Sequence, residues 1–200
     1  MEIYNQLLPH AVIQEAECNG NGVVRNSRYR AAVCNHLGLR FQSIAGDGNC
    51  FFFSVCAALK ATLGADNVPV YLATPDVLRA SLVLFLRTCV DTGNDELSER
   101  IIADLRPELD FALQCSTRAK IDDRPIHGFK PSETSDPLNK YLEAIAADGV
   151  WVSGYHWLRA ASALAGVRVA VVINGFDSIL HFGTGIQTIY LYKVFMLCDV

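Results

Sequence analysis

The stretch Gly46-Asp47-Gly48-Asn49-Cys50-Phe51-Phe52-Phe53-Ser54-Val55 decides how this chain is read. Two glycines flank Asp47, so the backbone is free to turn sharply and to approach a bound molecule closely. From Cys50 to position 63 the sequence is apolar on nearly every side, with Gly64 as a stop. That pattern predicts a buried helix opened by a cysteine. A thiol at a helix N-terminus is favoured as thiolate by the unpaired amides and the helix dipole. The amides of residues 47–50 can also point at the oxygen of a tetrahedral intermediate. A thiol on a rigid helix start, below a glycine turn, suits acyl transfer with Cys50 as nucleophile. The residues alone leave a second reading open, in which Asp47-Gly48-Asn49 only turns the chain and Cys50 is a small buried apolar group.

Outward from this stretch the chain reads as helices followed by strands. Residues 26–37 place Tyr29, Val33, Cys34 and Leu37 at helical spacing before Gly38. Residues 76–90 form an amphipathic helix opened by Pro75 and Asp76, with Leu78, Leu82, Phe85, Leu86 and Cys89 on one face. Residues 97–113 are helical, with Pro107 marking a break or restart. The polar stretch 116–137, with Pro125, Pro131 and Pro137, is a surface loop. Short helices follow at 138–147 and at 155–165, the latter closed by Gly166. The β-branched run 167–173 predicts a central strand. Two further strands, 178–182 and 186–194, are joined through Gly183-Thr184-Gly185. Residues 1–22 hold only a turn signal at Asn19-Gly20-Asn21-Gly22. The fold class is therefore α+β, with 1–23 as an N-terminal extension and 24–200 as one domain.

Composition narrows the function classes. Of 200 residues 51% are apolar and 19% charged, enough for a sizeable core. A net charge of −4 lacks the basic footprint of a nucleic-acid binder. The apolar runs are too short to span a membrane, and Met1-Glu2 opens no signal peptide. The seven cysteines are odd in number and include no Cys-x-x-Cys pair, which argues against a disulfide framework and a zinc site. Asp122, Asp123 and Asp136 read as solvated loop carboxylates. No cofactor and no metal are expected, and the compartment is reducing, hence intracellular and cytoplasmic.

Asp47-Gly48-Asn49-Cys50-Phe51-Phe52 resembles the signature of the ovarian-tumour (OTU) family of deubiquitinating cysteine peptidases, in which Asp-Gly-Asn-Cys precedes apolar and aromatic residues. Further blocks are similar to the family in the same order. They are Leu37-Gly38-Leu39-Arg40-Phe41, Val77-Leu78-Arg79, and Tyr141-Leu142 through Asp148-Gly149-Val150-Trp151 to Leu158-Arg159-Ala160-Ala161-Ser162-Ala163-Leu164. The resemblance spans about residues 24–194. It implies a papain-like fold, with a small central sheet packed between helices and the Cys50 helix through its centre. It implies a thiol-dependent hydrolase whose Cys50 attacks the isopeptide carbonyl at the C-terminus of ubiquitin or a ubiquitin-like protein, the expected partner. Asp47 would shape the loop and the oxyanion site, and the backbone amides of Gly48, Asn49 and Cys50 would bind the oxyanion. Trp151 would pack near the site.

A cysteine nucleophile of this kind needs a histidine base. The family's histidine follows the last long strand and precedes an aromatic residue. Here Tyr192-Lys193-Val194 is followed by Phe195-Met196-Leu197-Cys198-Asp199-Val200, without a histidine. Three readings stand. The end of the domain is cut or altered; the chain is an inactive family member serving as a ubiquitin-binding or scaffold module; or His181, which precedes Phe182, is the base. His181 also reads as a strand histidine on a half-buried surface. Among the other histidines, His156 reads as a helix-opening residue that caps or faces solvent. His127 lies in the proline-bearing loop, His36 sits near a helix end where a cation is favoured, and His10 carries no information.

Overall fold

Along β2 (Arg168–Ile173) the five residues after Arg168 are all buried, so this strand is covered on both faces. It sits inside a four-stranded sheet of order β1-β3-β2-β4. The strand β3 (Ser178–Phe182) runs antiparallel to β2, with Val169 opposite Phe182 and Ala170 opposite His181. On the other side β4 (Thr188–Lys193) runs parallel to β2, with Val169 opposite Ile189 and Val171 opposite Leu191. The outer edge of β3 pairs antiparallel with β1 (Tyr4–Leu7), which places Tyr4 opposite His181. The computed structural model describes residues 4–7, 22–44, 48–93, 95–116, 137–147, 152, 154–173 and 178–193. The expected loop at 116–137, with His127 and the aspartates at 122, 123 and 136, falls almost wholly outside them, as do Asp47, Trp151 and the tail from 194.

Six α-helices, with two short 3-10 turns at Ala65–Asn67 and Val70–Leu72, complete the described fold: α1 (Gly22–Leu37), α2 (Cys50–Leu63), α3 (Pro75–Thr92), α4 (Glu96–Ser116), α5 (Pro137–Ile145) and α6 (Tyr155–Ala165). Side chains alternate across a strand, so the sheet presents two different faces. Val169, Val171, Ile173, Phe182, Ile189 and Leu191 face the main core with Phe52, Val55 and Leu59 of α2, Leu78, Leu82 and Leu86 of α3, and Trp157 of α6. Ala170, Val172 and Ile179 face a smaller core with Tyr29, Ala32 and Val33 of α1. The protein is thus α+β, its sheet lying between α1 on one face and the other packed helices on the opposite face.

Three expectations are corrected. Residues 1–23 are not simply an extension, because positions 4–7 supply a strand of the same sheet. Pro107 does not interrupt α4, which runs through it. A proline removes the hydrogen bond to the carbonyl four residues earlier, that of Ala103. Pro107 and Ala103 are both exposed, so water can satisfy that oxygen. Finally, α2 is not buried all round. Phe52, Val55, Cys56 and Leu59 face the core, whereas Phe53 is 43% exposed and Lys60 lies at the surface.

Candidate active site

Cys50 is the first residue of α2 and is half-buried. One turn on, the Ser54 hydroxyl donates to the Cys50 carbonyl at 2.6 Å. Gly48 takes φ +88, a left-handed backbone that side chains rarely adopt, so the turn needs glycine there. Asn49 occupies the N-cap position with φ −98 and ψ −1, and its carbonyl accepts from the Phe53 amide at 3.0 Å. Its side chain makes no capping bond. The Asn49 Oδ1 instead accepts from Arg79 Nη2 at 2.6 Å.

Arg79 ties the turn to the rest of the fold. It lies on the second turn of α3 and is only 4% exposed. Its Nη2 also donates to the Gly48 carbonyl at 3.2 Å, and its Nη1 donates to the Ile145 carbonyl at the end of α5 at 2.7 Å. The guanidinium carbon stands 4.1 Å from the centre of the Phe52 ring. The planar guanidinium presents its donors in one rigid plane and here holds three acceptors in fixed directions, a geometry that the rotatable ammonium of a lysine does not pre-set.

The floor under Cys50 is aromatic. The Phe52 ring meets Trp157 at 5.8 Å and Phe51 meets it at 6.4 Å, both edge-on, and Phe51 and Phe52 contact each other at 5.3 Å. Edge-to-face pairs of this kind contribute about 0.5–1.5 kcal/mol each beyond the burial itself. Among the described residues, Trp157 is the tryptophan that packs behind the nucleophile position. The sequence had pointed to Trp151, which lies outside the described residues.

Two buried histidines lie elsewhere. His181 projects from β3 on the α1 face of the sheet, whereas the core face of α2 packs on the other. The structure therefore does not bring His181 together with Cys50. It is 4% exposed, less than the half-buried surface expected, and burial, with Arg168 second, holds its imidazole below the usual histidine range. His156, expected at the surface, is fully buried at 0% exposure. Its ring packs 5.4 Å from that of Trp157, and neither nitrogen has a hydrogen-bond partner of good geometry. Burial drives its pKa down to about 3, opposed in part by the nearby backbone of Asp104. That same Asp104 pairs with Arg159, one turn along α6 from His156. His36 is exposed near the end of α1, as expected.

Burial disfavours the thiolate at Cys34, Cys56 and Cys89. Cys56 is buried, donates to the Leu72 carbonyl at 3.3 Å, and is pushed up to about 11 chiefly by burial. Burial also raises Cys34 and Cys89. Among the described residues no three His, Cys, Asp or Glu side chains gather where a metal ion could sit, and no helix is long and apolar enough to cross a membrane.

Comparison with protein-family models and with curated proteins finds no match to this chain.

Sequence reasoning missed two residues of this site. Arg79 stood in view as part of a resembling block, and an arginine within an otherwise apolar helix face was the available signal. Trp157, three residues after Gly154 and flanked by His156, carried no pattern that set it apart from Trp151.

Proposed function

We propose that the chain is a papain-like, OTU-type protein directed at ubiquitin or a ubiquitin-like modifier, with Cys50 as the nucleophile of a thiol-dependent isopeptide hydrolase. The observation that carries this reading is the half-buried thiol at the first position of α2, preceded by a left-handed Gly48 and an Asn49 that Arg79 holds. In the proposed step the Cys50 sulfur attacks the carbonyl carbon of the modifier's terminal glycine. The C–N bond breaks, the amine leaves with a proton, and water then hydrolyses the thioester. Amides of the turn would stabilise the oxyanion. Asp47 keeps the loop-shaping role that the resemblance implies. The test is incubation with di-ubiquitin of each linkage, for which the expected result is cleavage that disappears in Cys50→Ala.

A second reading, a ubiquitin-binding module without turnover, is favoured by the placement of the buried histidines. Among the described residues His181 lies across the sheet from α2, and His156 is enclosed beside Trp157. Ubiquitin binding by titration, with every di-ubiquitin left intact, would select this reading over the first.

A further inference from the structure

We infer that Arg79 is a positioning residue for the Cys50 site, setting the direction of the Gly48–Asn49 peptide and so of the Asn49 amide that would meet an oxyanion. The inference rests on the reading of Cys50 as a nucleophile. Its geometry stands by itself.

In a planar trans peptide the carbonyl and the following N–H point in opposite directions. Arg79 Nη2 binds the Gly48 oxygen at 3.2 Å, so the Asn49 N–H is turned to the side away from Arg79. That bond is a direct restraint on the plane of the peptide. Gly48, at φ +88, has no Cβ to restrict rotation of the plane that follows it. A second bond on the same nitrogen, to Asn49 Oδ1 at 2.6 Å, holds the other side of this unit. It also draws that side chain away from the first-turn amides that a cap asparagine ordinarily covers. The guanidinium is itself fixed, by the Ile145 carbonyl at 2.7 Å and by the Phe52 face at 4.1 Å. Three separate segments, the ends of α5 and of the nucleophile turn and the first turn of α2, therefore converge on one buried side chain.

The test separates chemistry that forms an oxyanion from chemistry that does not. Ubiquitin bearing a C-terminal aldehyde adds to a thiol. The sulfur bonds to the aldehyde carbon, the carbonyl π pair moves to oxygen, and the thiol proton is transferred to that oxygen. Iodoacetamide alkylates the same thiol by displacing iodide, with no oxyanion. Arg79→Lys keeps the charge but loses the fork. The expected result is a folded protein whose capture of ubiquitin aldehyde weakens roughly 10- to 100-fold, while Cys50 alkylation changes less than about twofold. Where Arg79→Lys does not fold, Asn49→Ala removes one of the two tethers at the turn and carries the test, with capture expected to weaken at least about threefold. Equal capture by wild type and folded variant, or a parallel loss of capture and alkylation, overturns the positioning role and leaves the nucleophile reading standing. Failure of the wild type to capture ubiquitin aldehyde overturns both.

Discussion

His156 gives the fold a calculable acid sensitivity. An unfolded chain holds this histidine near its ordinary pKa of 6.5, whereas the native core lowers it to about 3. Below pH 6.5 the unfolded state takes up a proton that the native state refuses, so stability present above that pH is lost as the pH falls towards 3. Each pH unit in this window favours unfolding by about 1.4 kcal/mol, so by pH 5 the group has removed about 2 kcal/mol relative to pH 7. That is a large share of the roughly 5–15 kcal/mol that holds a domain folded. His156→Leu removes the proton site and replaces two poorly partnered buried nitrogens with an apolar side chain of similar size, a change that is neutral or stabilising at pH 7. Urea unfolding of both proteins at pH 7, 6 and 5 isolates the contribution, because every other titrating group, His181 included, is common to the pair. The stability difference between variant and wild type should grow by about 2 kcal/mol from pH 7 to pH 5. A difference that stays constant within 0.5 kcal/mol, on the order of the error of such a comparison, would refute the burial of an uncharged His156.

Two further outcomes follow from the packing. Gly183 has φ +85, and a Cβ there would collide with Ser162 Oγ, so Gly183→Ala should cost about 3 kcal/mol or more by thermal unfolding. Adding Ser162→Ala should recover part of that loss, even though it gives up the bonds from Ser162 to the Val167 and Phe182 carbonyls. With Cys56 pushed up to about 11, roughly one thiol in a thousand is ionised at pH 8, so mass mapping after brief iodoacetamide treatment of the folded protein should find Cys56 unmodified.

Local patterns were legible where one element carried its own signal. Cys50–Leu63 and Tyr155–Ala165 each end at a glycine, Gly64 and Gly166, and the bounds of both helices follow from the sequence. Ser178–Phe182 was equally plain from its composition and the turn residues after it. The strand at 4–7 was not, because four residues are too few to show a period and their partner, β3, lies at the other end of the chain. The exposure of Phe53 was hidden because an all-apolar helix does not state which face the core will cover. At the site, the helix start and the turn were visible, but what holds them was not. Arg79 finds Asn49 and Ile145 at separations of 30 and 66 residues, contacts that no local rule anticipates. His156 failed for a related reason. Its position at a helix start suggested solvent, and only the packing of α6 against α4 and Trp157 encloses it.

The most direct measurement is covalent capture by ubiquitin bearing a C-terminal electrophile, read by intact mass and then by peptide mapping. The expected result is a single adduct on Cys50, absent from Cys50→Ala, with Cys56 and Cys89 untouched. An adduct that persists in Cys50→Ala, or no adduct under conditions that label an active OTU peptidase, would contradict the assignment of Cys50 as the nucleophile.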